Sequence, residues 1–152
     1  MSGVDYSKDS NFPAQQASFL SMRNVSAGNR AAWLELFADD ALVQDPVGVS
    51  PLDPAGLGHR GKEAIGRFWD KVIARQHGLY AIRESHPCAD ECANVLTVTQ
   101  TLPDGNKFDI NFVVVYRVDA AGRIVSLKAY WQFEKMMQNL ARLSAGQQPL
   151  QE

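Results

Sequence analysis

The spacing of apolar residues changes once along the chain, at about Leu79, and this change limits the folds that the sequence can adopt. Before it, apolar residues recur at the three- and four-residue spacing of amphipathic helices. After it, apolar and polar residues alternate as in half-buried strands, as far as about Phe133. Helices followed by a run of strands predict an α+β fold, in which the helices pack on one face of a curved antiparallel sheet.

Three helices are predicted before the change in spacing. The first is PAQQASFLSMRNVSAG, with Pro13 in its first turn and Gly28 at its end. The second is RAAWLELFADD, with Asn29 as its N-cap. The third, GKEAIGRFWDKVIARQ, carries Phe68 and Trp69 on its apolar stripe, so it presents two large aromatic rings to whatever it covers.

Four strands are predicted after the change, in LYAIRES, ANVLTVTQTL, KFDINFVVVYRV and RIVSLKAYWQF, followed by a short helix in EKMMQNLARL. The turns between the strands are too short for crossover connections, so neighbouring strands should be antiparallel. One face of the third strand is entirely apolar or aromatic: Phe108, Ile110, Phe112, Val114 and Tyr116. A curved sheet of this kind, closed by helices, forms a cone whose lining could hold an apolar ligand.

Length and composition predict one domain. The chain has 152 residues, of which 45% are apolar, and this is enough for one well-buried core but short for two. We expect a disordered N-terminal tail at residues 1–11, a single domain at residues 12–140 and a frayed C-terminal tail at residues 141–152.

Charge and hydropathy argue against several partners. The 15 Lys and Arg residues are balanced by 17 Asp and Glu residues, so no basic field attracts a phosphate backbone. No apolar run approaches the roughly 20 residues that span a bilayer, and the first residues lack the pattern of a signal peptide. We therefore expect a cytoplasmic protein that binds neither nucleic acid nor a membrane.

The cysteines give little support to a metal site. Cys88 and Cys92 lie four residues apart, a spacing that fits neither a CxxC redox motif nor half of a four-cysteine zinc site. With His86 they could hold a soft metal, although two reduced thiols are the simpler interpretation. Because the chain also lacks a GxGxxG motif and a P-loop, we predict no metal and no organic cofactor.

The segment ADDALVQDPVG places Asp45 between a short apolar strand and a proline. A residue before proline is restricted to an extended backbone, so the carboxylate should have a fixed direction. Flanked by Val43 and Val47, Asp45 could be a proton-transfer base in an apolar pocket, or a turn residue that caps its own backbone. The residues alone leave both interpretations open.

Three segments, AGNRAAWLELFADDALVQDPVG, GKEAIGRFWDKVI and AAGRIVSLKAYW, resemble the ketosteroid isomerase branch of the superfamily that includes nuclear transport factor 2 and the polyketide cyclases. The resemblance runs in order from about Ala14 to Phe133. It implies a nuclear transport factor 2-like fold, with a cone-shaped curved antiparallel sheet packed against three N-terminal helices. It also implies a homodimer formed through the outer face of the sheet, where Val113, Val115 and Tyr130 should lie.

The same resemblance implies roles for particular residues. In the isomerases, the aspartate before PVG is the general base that moves a proton within a 3-keto-Δ5 steroid, and Asp45 matches it. The isomerases also hold the enolate with two donors, a tyrosine and a protonated aspartic acid. At the positions that match these donors, this sequence has Ser21 and Val114 instead. Losing one such donor can cost about 100- to 1,000-fold in rate, so turnover should be weak unless another group donates. Tyr116 and Trp131 are candidates for that role.

The sequence therefore predicts a steroid Δ-isomerase-like protein that binds a steroid or a similar apolar carbonyl compound, with Asp45 as its general base. The predicted substrate contacts are Ser21, Phe68, Trp69, Phe112, Val114, Tyr116, Leu127 and Trp131. His59, in the long loop after Asp45, could gate the pocket or act as a second acid. The alternatives are a non-catalytic module that binds an apolar ligand or a protein, and a dehydratase or cyclase that uses the same carboxylate.

Overall fold

The computed structural model describes residues 3–150, which form helices and strands in the predicted order. The elements are α1 (Pro13–Ala27), α2 (Arg30–Glu35), β1 (Phe37–Gln44), β2 (His59–Arg60), α3 (Gly61–Lys71), a short 3₁₀ helix (Ile73–Arg75), β3 (Leu79–Cys88), β4 (Glu91–Thr101), β5 (Lys107–Val118), β6 (Ile124–Tyr130) and α4 (Phe133–Ser144). The α+β class and the antiparallel pairing of β3 to β6 are confirmed. Within residues 3–150, no helix is both long and apolar enough to cross a membrane.

The six strands form one sheet in the order β2-β1-β6-β5-β4-β3. One pair departs from the predicted antiparallel arrangement, because β1 runs parallel to β6, with Val43 beside Leu127. Register shifts interrupt β1, β3 and the β5–β6 pairing. Such irregularities bend and twist strands, so they account for the curvature that closes the sheet around α1 and α3.

The second helix is shorter than its sequence pattern predicts. It ends at Glu35, and Phe37 already begins β1, where its ring is fully buried. The Ile124 amide donates to the Leu36 carbonyl at 2.8 Å, which joins the end of the helix to β6. Pairing with a strand nearly ninety residues later therefore overrides the helical pattern of FADD, as tertiary contacts often do.

The N-terminal residues also differ from their prediction. The Val4 amide donates to the Ile82 carbonyl at 2.7 Å and adds a bridge to β3. Arg23 on α1 donates to the Tyr6 carbonyl at 2.6 Å and pairs with Asp9 at 3.0 Å. Residues of the predicted disordered tail thus form hydrogen bonds to β3 and α1 in the structure.

The folded part of the chain also continues beyond residue 140, where the sequence predicted the domain to end. Helix α4 extends to Ser144, past the predicted limit at residue 140. After it the chain folds back, and the Leu150 amide donates to Asn139 Oδ1 at 2.7 Å. Residues 1–2 and 151–152 of the predicted tails lie outside the described residues.

A buried polar cluster fixes α1 over the sheet. Asn94 on β4 donates to Ser18 Oγ at 2.9 Å and accepts from Ser85 at 2.6 Å, while Gln15 donates to Ser85 at 2.9 Å. The bond between Asn94 and Ser18 is fully buried, so breaking it would leave a polar atom unsatisfied at considerable cost. The cluster therefore sets the position of Ser21, one helical turn beyond Ser18.

Candidate active site

A cavity lies between the concave face of the sheet and helices α1 and α3. The space between its atoms is about 730 Å³ when the open mouth is included, although only about 70 Å³ admits the centre of a water molecule. The cavity is therefore narrow. Most of its lining is apolar, and the predicted contact residues Phe68, Phe112, Val114 and Leu127 all line it.

Asp45 lies at the end of β1, where its carboxylate opens into the cavity. The Val47 amide donates to the Ala129 carbonyl at 3.0 Å, so the chain stays attached to β6 just beyond Asp45. The Asp45–Pro46 peptide bond is cis. Trp131 Nε1 donates to Asp45 Oδ1 at 2.5 Å, and this bond orients the carboxylate.

The surroundings of Asp45 make it more basic than an ordinary aspartate. Burial raises the pKa of its carboxyl from 3.8 to about 6, and the hydrogen bond from Trp131 opposes part of this rise. The alternative of a turn cap has no support among the described hydrogen bonds, in which the carboxylate accepts from Trp131 rather than from its own backbone. Asp45 is therefore mostly ionised at neutral pH, but it binds a proton more tightly than an ordinary aspartate does.

Ser21 forms the centre of a second polar group, deep in the cavity. Its hydroxyl oxygen accepts from Trp33 Nε1 at 3.0 Å and from the Tyr116 hydroxyl at 2.9 Å. Burial raises the pKa of Tyr116, which therefore remains a neutral donor. A hydroxyl that accepts two hydrogen bonds retains its own proton for donation. Among residues 3–150, no acceptor for this proton is found.

Trp131 and Tyr116, the predicted substitutes for the missing enolate donors, both use their donor groups within the protein. Trp131 lines the cavity, but its N–H is already bonded to Asp45, so it is not free for a ligand. Tyr116 lines the cavity and donates to Ser21. Val114 is buried between Asn94 and Ala129 on neighbouring strands and offers no donor. Ser21, which accepts a hydrogen bond from Tyr116, is therefore a hydroxyl in the cavity lining whose own proton has no acceptor among residues 3–150.

Two predicted residues do not reach the cavity. Trp69 does not line it, because its ring packs against Trp33 in the core, with centroids 5.2 Å apart. The helical stripe placed Trp69 correctly inside the protein but could not show which side chain lay behind the other. His59 lies on β2 with its ring 4.9 Å from that of Phe68, outside the cavity lining, which argues against its expected part as a gate or second acid.

Other lining residues were missed at the level of sequence. Val98 and Gln100 on β4, Tyr80 on β3 and Gln76 after the 3₁₀ helix surround the mouth. The alternation in ANVLTVTQTL places Val98 and Gln100 on one face. Only the strand register, which sets Tyr80 beside Val98, shows that this face is the inner one.

The cysteines do not converge with other ligands. Cys88 is exposed, whereas Cys92 is buried and its thiol is within 3.3 Å of Asn94 Oδ1. His86 lies beside Glu84 on the outer surface. Within the described part of the chain, no group of three or more His, Cys, Asp or Glu residues is arranged to hold a metal ion.

Comparisons with known proteins agree with this geometry. The family model of the SnoaL-like domain matches residues 20–127. The chain is 30% identical to a steroid Delta-isomerase of Nocardioides simplex over 109 residues. This alignment covers 70% of this chain and 80% of that protein.

Solved structures give the same result. The crystal structure of a Mycobacterium tuberculosis protein in complex with estradiol-17beta-hemisuccinate is 37% identical, with a TM-score of 0.74 over 82% of this chain and 97% of that one. The Delta 5-3-ketosteroid isomerase of a Mycobacterium species is also 37% identical, with a TM-score of 0.73 over 81% and 95% of the two chains. The nuclear transport factor 2-like fold and the resemblance to ketosteroid isomerases are thus confirmed, and the chain belongs to the SnoaL-like domain family.

Proposed function

We propose that the protein isomerises a steroid or a comparably flat apolar ketone, with Asp45 as the general base. The observation that carries this proposal is the Asp45 carboxylate, which opens into an apolar cavity, is oriented by Trp131 and has a pKa raised to about 6 by burial. A base with a pKa near the working pH can both take a proton and return it. The similarity to a steroid Delta-isomerase and to a steroid-bound structure supports the choice of substrate class.

The proposed reaction is an internal proton transfer. Asp45 removes a proton from the carbon between the carbonyl group and the isolated double bond, and the electron pair moves onto the carbonyl oxygen to give a dienolate. Asp45 then returns the proton to the far carbon of the double bond, which leaves the double bond conjugated with the ketone. No atom is gained or lost, so the reaction needs no oxidant or reductant.

Ser21 is proposed to stabilise the dienolate oxygen. The bonds from Trp33 and Tyr116 withdraw electron density from the Ser21 oxygen, which makes its remaining O–H a stronger donor. Because most of the cavity lining is apolar, such a donor has more effect than it would in water. Val114 adds nothing, so turnover should be slower than in an enzyme with two donors.

A second candidate function is binding without turnover. The observation that favours it is Val114, since an apolar residue at a proposed donor position lowers catalysis without lowering ligand affinity. A dehydratase or cyclase reaction by the same carboxylate remains the alternative chemistry. The expected cytoplasmic location, and the expectation that nucleic acid and membranes are not partners, stay predictions.

Replacing Asp45 by Asn should abolish isomerisation. We expect a fall in kcat of about 100- to 10,000-fold, because the amide cannot accept the proton. In the wild type, kcat/KM should rise as the pH rises through about 6 and then level off, since only the ionised carboxylate is active. The measurement is the ultraviolet absorbance of the conjugated ketone formed from a 3-keto-Δ5 steroid. If the wild type binds this steroid but does not convert it, the binding function is the correct one.

The same substitution should make the protein more stable, which separates lost catalysis from misfolding. The folded wild type binds the Asp45 proton more tightly than the unfolded chain does, so its stability falls as the pH rises from about 4 to about 6 and is constant above. Asn removes this cost, and we expect a gain of about 1–3 kcal/mol at pH 7.5 and a smaller gain at pH 5. Urea unfolding at both pH values measures it. An equal or lower stability at pH 7.5 would contradict a desolvated carboxylate.

Variants of Ser21 and Tyr116 test the proposed donor. Ser21→Ala should lower kcat about 10- to 100-fold with little change in KM, because the bond matters most when charge develops on the oxygen. Tyr116→Phe should have a smaller effect, and the double variant should be no worse than Ser21→Ala, since Tyr116 acts through Ser21. An additive loss in the double variant would show that Tyr116 contacts the substrate directly.

We also propose a homodimer formed through the outer face of the sheet. Val113 and Tyr130 are paired on that face and are 37% and 48% exposed. Sedimentation equilibrium should show a dimer for the wild type and a monomer for Val113→Glu/Tyr130→Glu, because two buried like charges would face each other across a symmetric interface. Leu57→Glu, in an exposed loop, is the control and should leave the dimer intact. A monomeric wild type would refute the interface.

A further inference from the structure

The mouth of the cavity carries polar side chains that the proposed proton transfer does not use. The Tyr80 hydroxyl donates to Gln76 Oε1 at 2.6 Å, so the amide NH₂ of Gln76 is left available. Gln100 lies on the same rim, half-buried, and is part of the cavity lining. The three residues form a group that we call the rim cluster.

The position of the Gln100 amide is set by Gly78. A Cβ atom at residue 78 would lie 3.0 Å from Gln100 Nε2 and 2.8 Å from Val98 Cγ1. The absence of this atom lets the Gln100 side chain fold against the backbone beside the mouth. Among residues 3–150, the Gln100 amide has no hydrogen-bond partner. A half-buried amide with no hydrogen-bond partner in the fold is suited to bind a ligand atom.

The rim cluster is far from the group around Ser21. On β5, Val114 lies opposite Asn94, and Ile110 lies opposite Val98. The four-residue step between these pairs corresponds to about 13 Å along the strand. The lining between the two levels is apolar, with Leu96 and Phe112 side by side on β4 and β5. The cavity thus has hydrogen-bonding groups at its two ends and an apolar wall between them.

We propose that the rim cluster is a second polar subsite, which binds a neutral oxygen at the end of the ligand remote from the reacting carbonyl. The substrate class is accordingly narrowed to flat fused-ring ketones with an oxygen function at both ends. This inference rests on one part of the proposed function, namely that the ketone of the ligand binds at the deep end of the cavity, beside Ser21. Gln100 donates to the remote oxygen, and Gln76, held by Tyr80, supplies a second donor. A neutral oxygen is favoured because the cluster carries no charge.

Three ligands test the subsite. They share the reacting end of a fused-ring enone and carry a methylene, a ketone or a hydroxyl group at the far end. Their affinities are measured by quenching of tryptophan fluorescence, since Trp33 and Trp131 line the cavity. The wild type should bind the ketone and the hydroxyl compound about 3- to 10-fold more tightly than the methylene compound.

Variants of Gln100 assign the preference to the rim cluster. Gln100→Leu should bring both ratios close to one and keep or raise the affinity for the methylene compound. Gln100→Glu should lose the preference for the ketone, which can only accept, but not for the hydroxyl compound, which can donate. Gly78→Ala should weaken both preferences by displacing the amide. Gln138→Leu, on an exposed face of α4, is the matched control and should keep the wild-type ratios.

The outcomes separate this inference from the proposed function. A wild type without preference, or a Gln100→Leu/Gln76→Leu variant that retains it, overturns the subsite and leaves the proposed isomerisation standing. The expected ratios without conversion of a steroid would support the subsite and reject the chemistry. If the wild type binds none of the three ligands at their solubility limits, both proposals fall.

Discussion

The contact between Trp131 and Asp45 depends on the only parallel strand pair in the described sheet. Parallel strands end at the same edge of a sheet, and β1 and β6 end at Gln44 and Tyr130. The next residue of β1 is Asp45, and the next residue of β6 is Trp131. The indole N–H and the carboxylate therefore meet at this edge of the sheet, although they are 86 positions apart in the chain. The proposed base is a consequence of topology as much as of the local DPVG turn.

The deep end of the cavity holds a small polar residue between two larger ones. Ser21 lies between Trp33 and Tyr116, and each of them donates a hydrogen bond to the serine oxygen. This polar atom is therefore satisfied by side chains of the protein. A short hydroxyl side chain is thus held deep in the cavity lining, on the helix that the Asn94 cluster fixes over the sheet.

The change of hydrophobic period at Leu79 predicted the fold class, and the alternation in β5 predicted its inner face. The fixed direction of the Asp45 carboxylate was also predictable, because the backbone of a residue before proline has few allowed conformations. The end of α2 and the pairing of β1 with β6 were not, since both depend on contacts between distant segments. The place of Gln100 and Tyr80 in the cavity lining could be found only from the strand register, because a shift of one residue would move both side chains to the other face of the sheet. Trp69 was misplaced because a helical stripe marks burial, not the order of packing.

The arrangement of polar groups at both ends bears on how an apolar cone can control orientation. Burial of apolar surface supplies most of the affinity for a flat ligand, but it has no direction, so a ligand with one oxygen could enter either way round. Bound in reverse, such a ligand would place its reacting carbons far from Asp45 and occupy the site without reacting. A second oxygen bound at the rim would favour the productive orientation, provided that the donor at Ser21 is stronger for a ketone than those at Gln76 and Gln100. Because the rim amides are neutral and partly solvated, whereas Ser21 is buried and receives two hydrogen bonds, this order of strength follows from their surroundings.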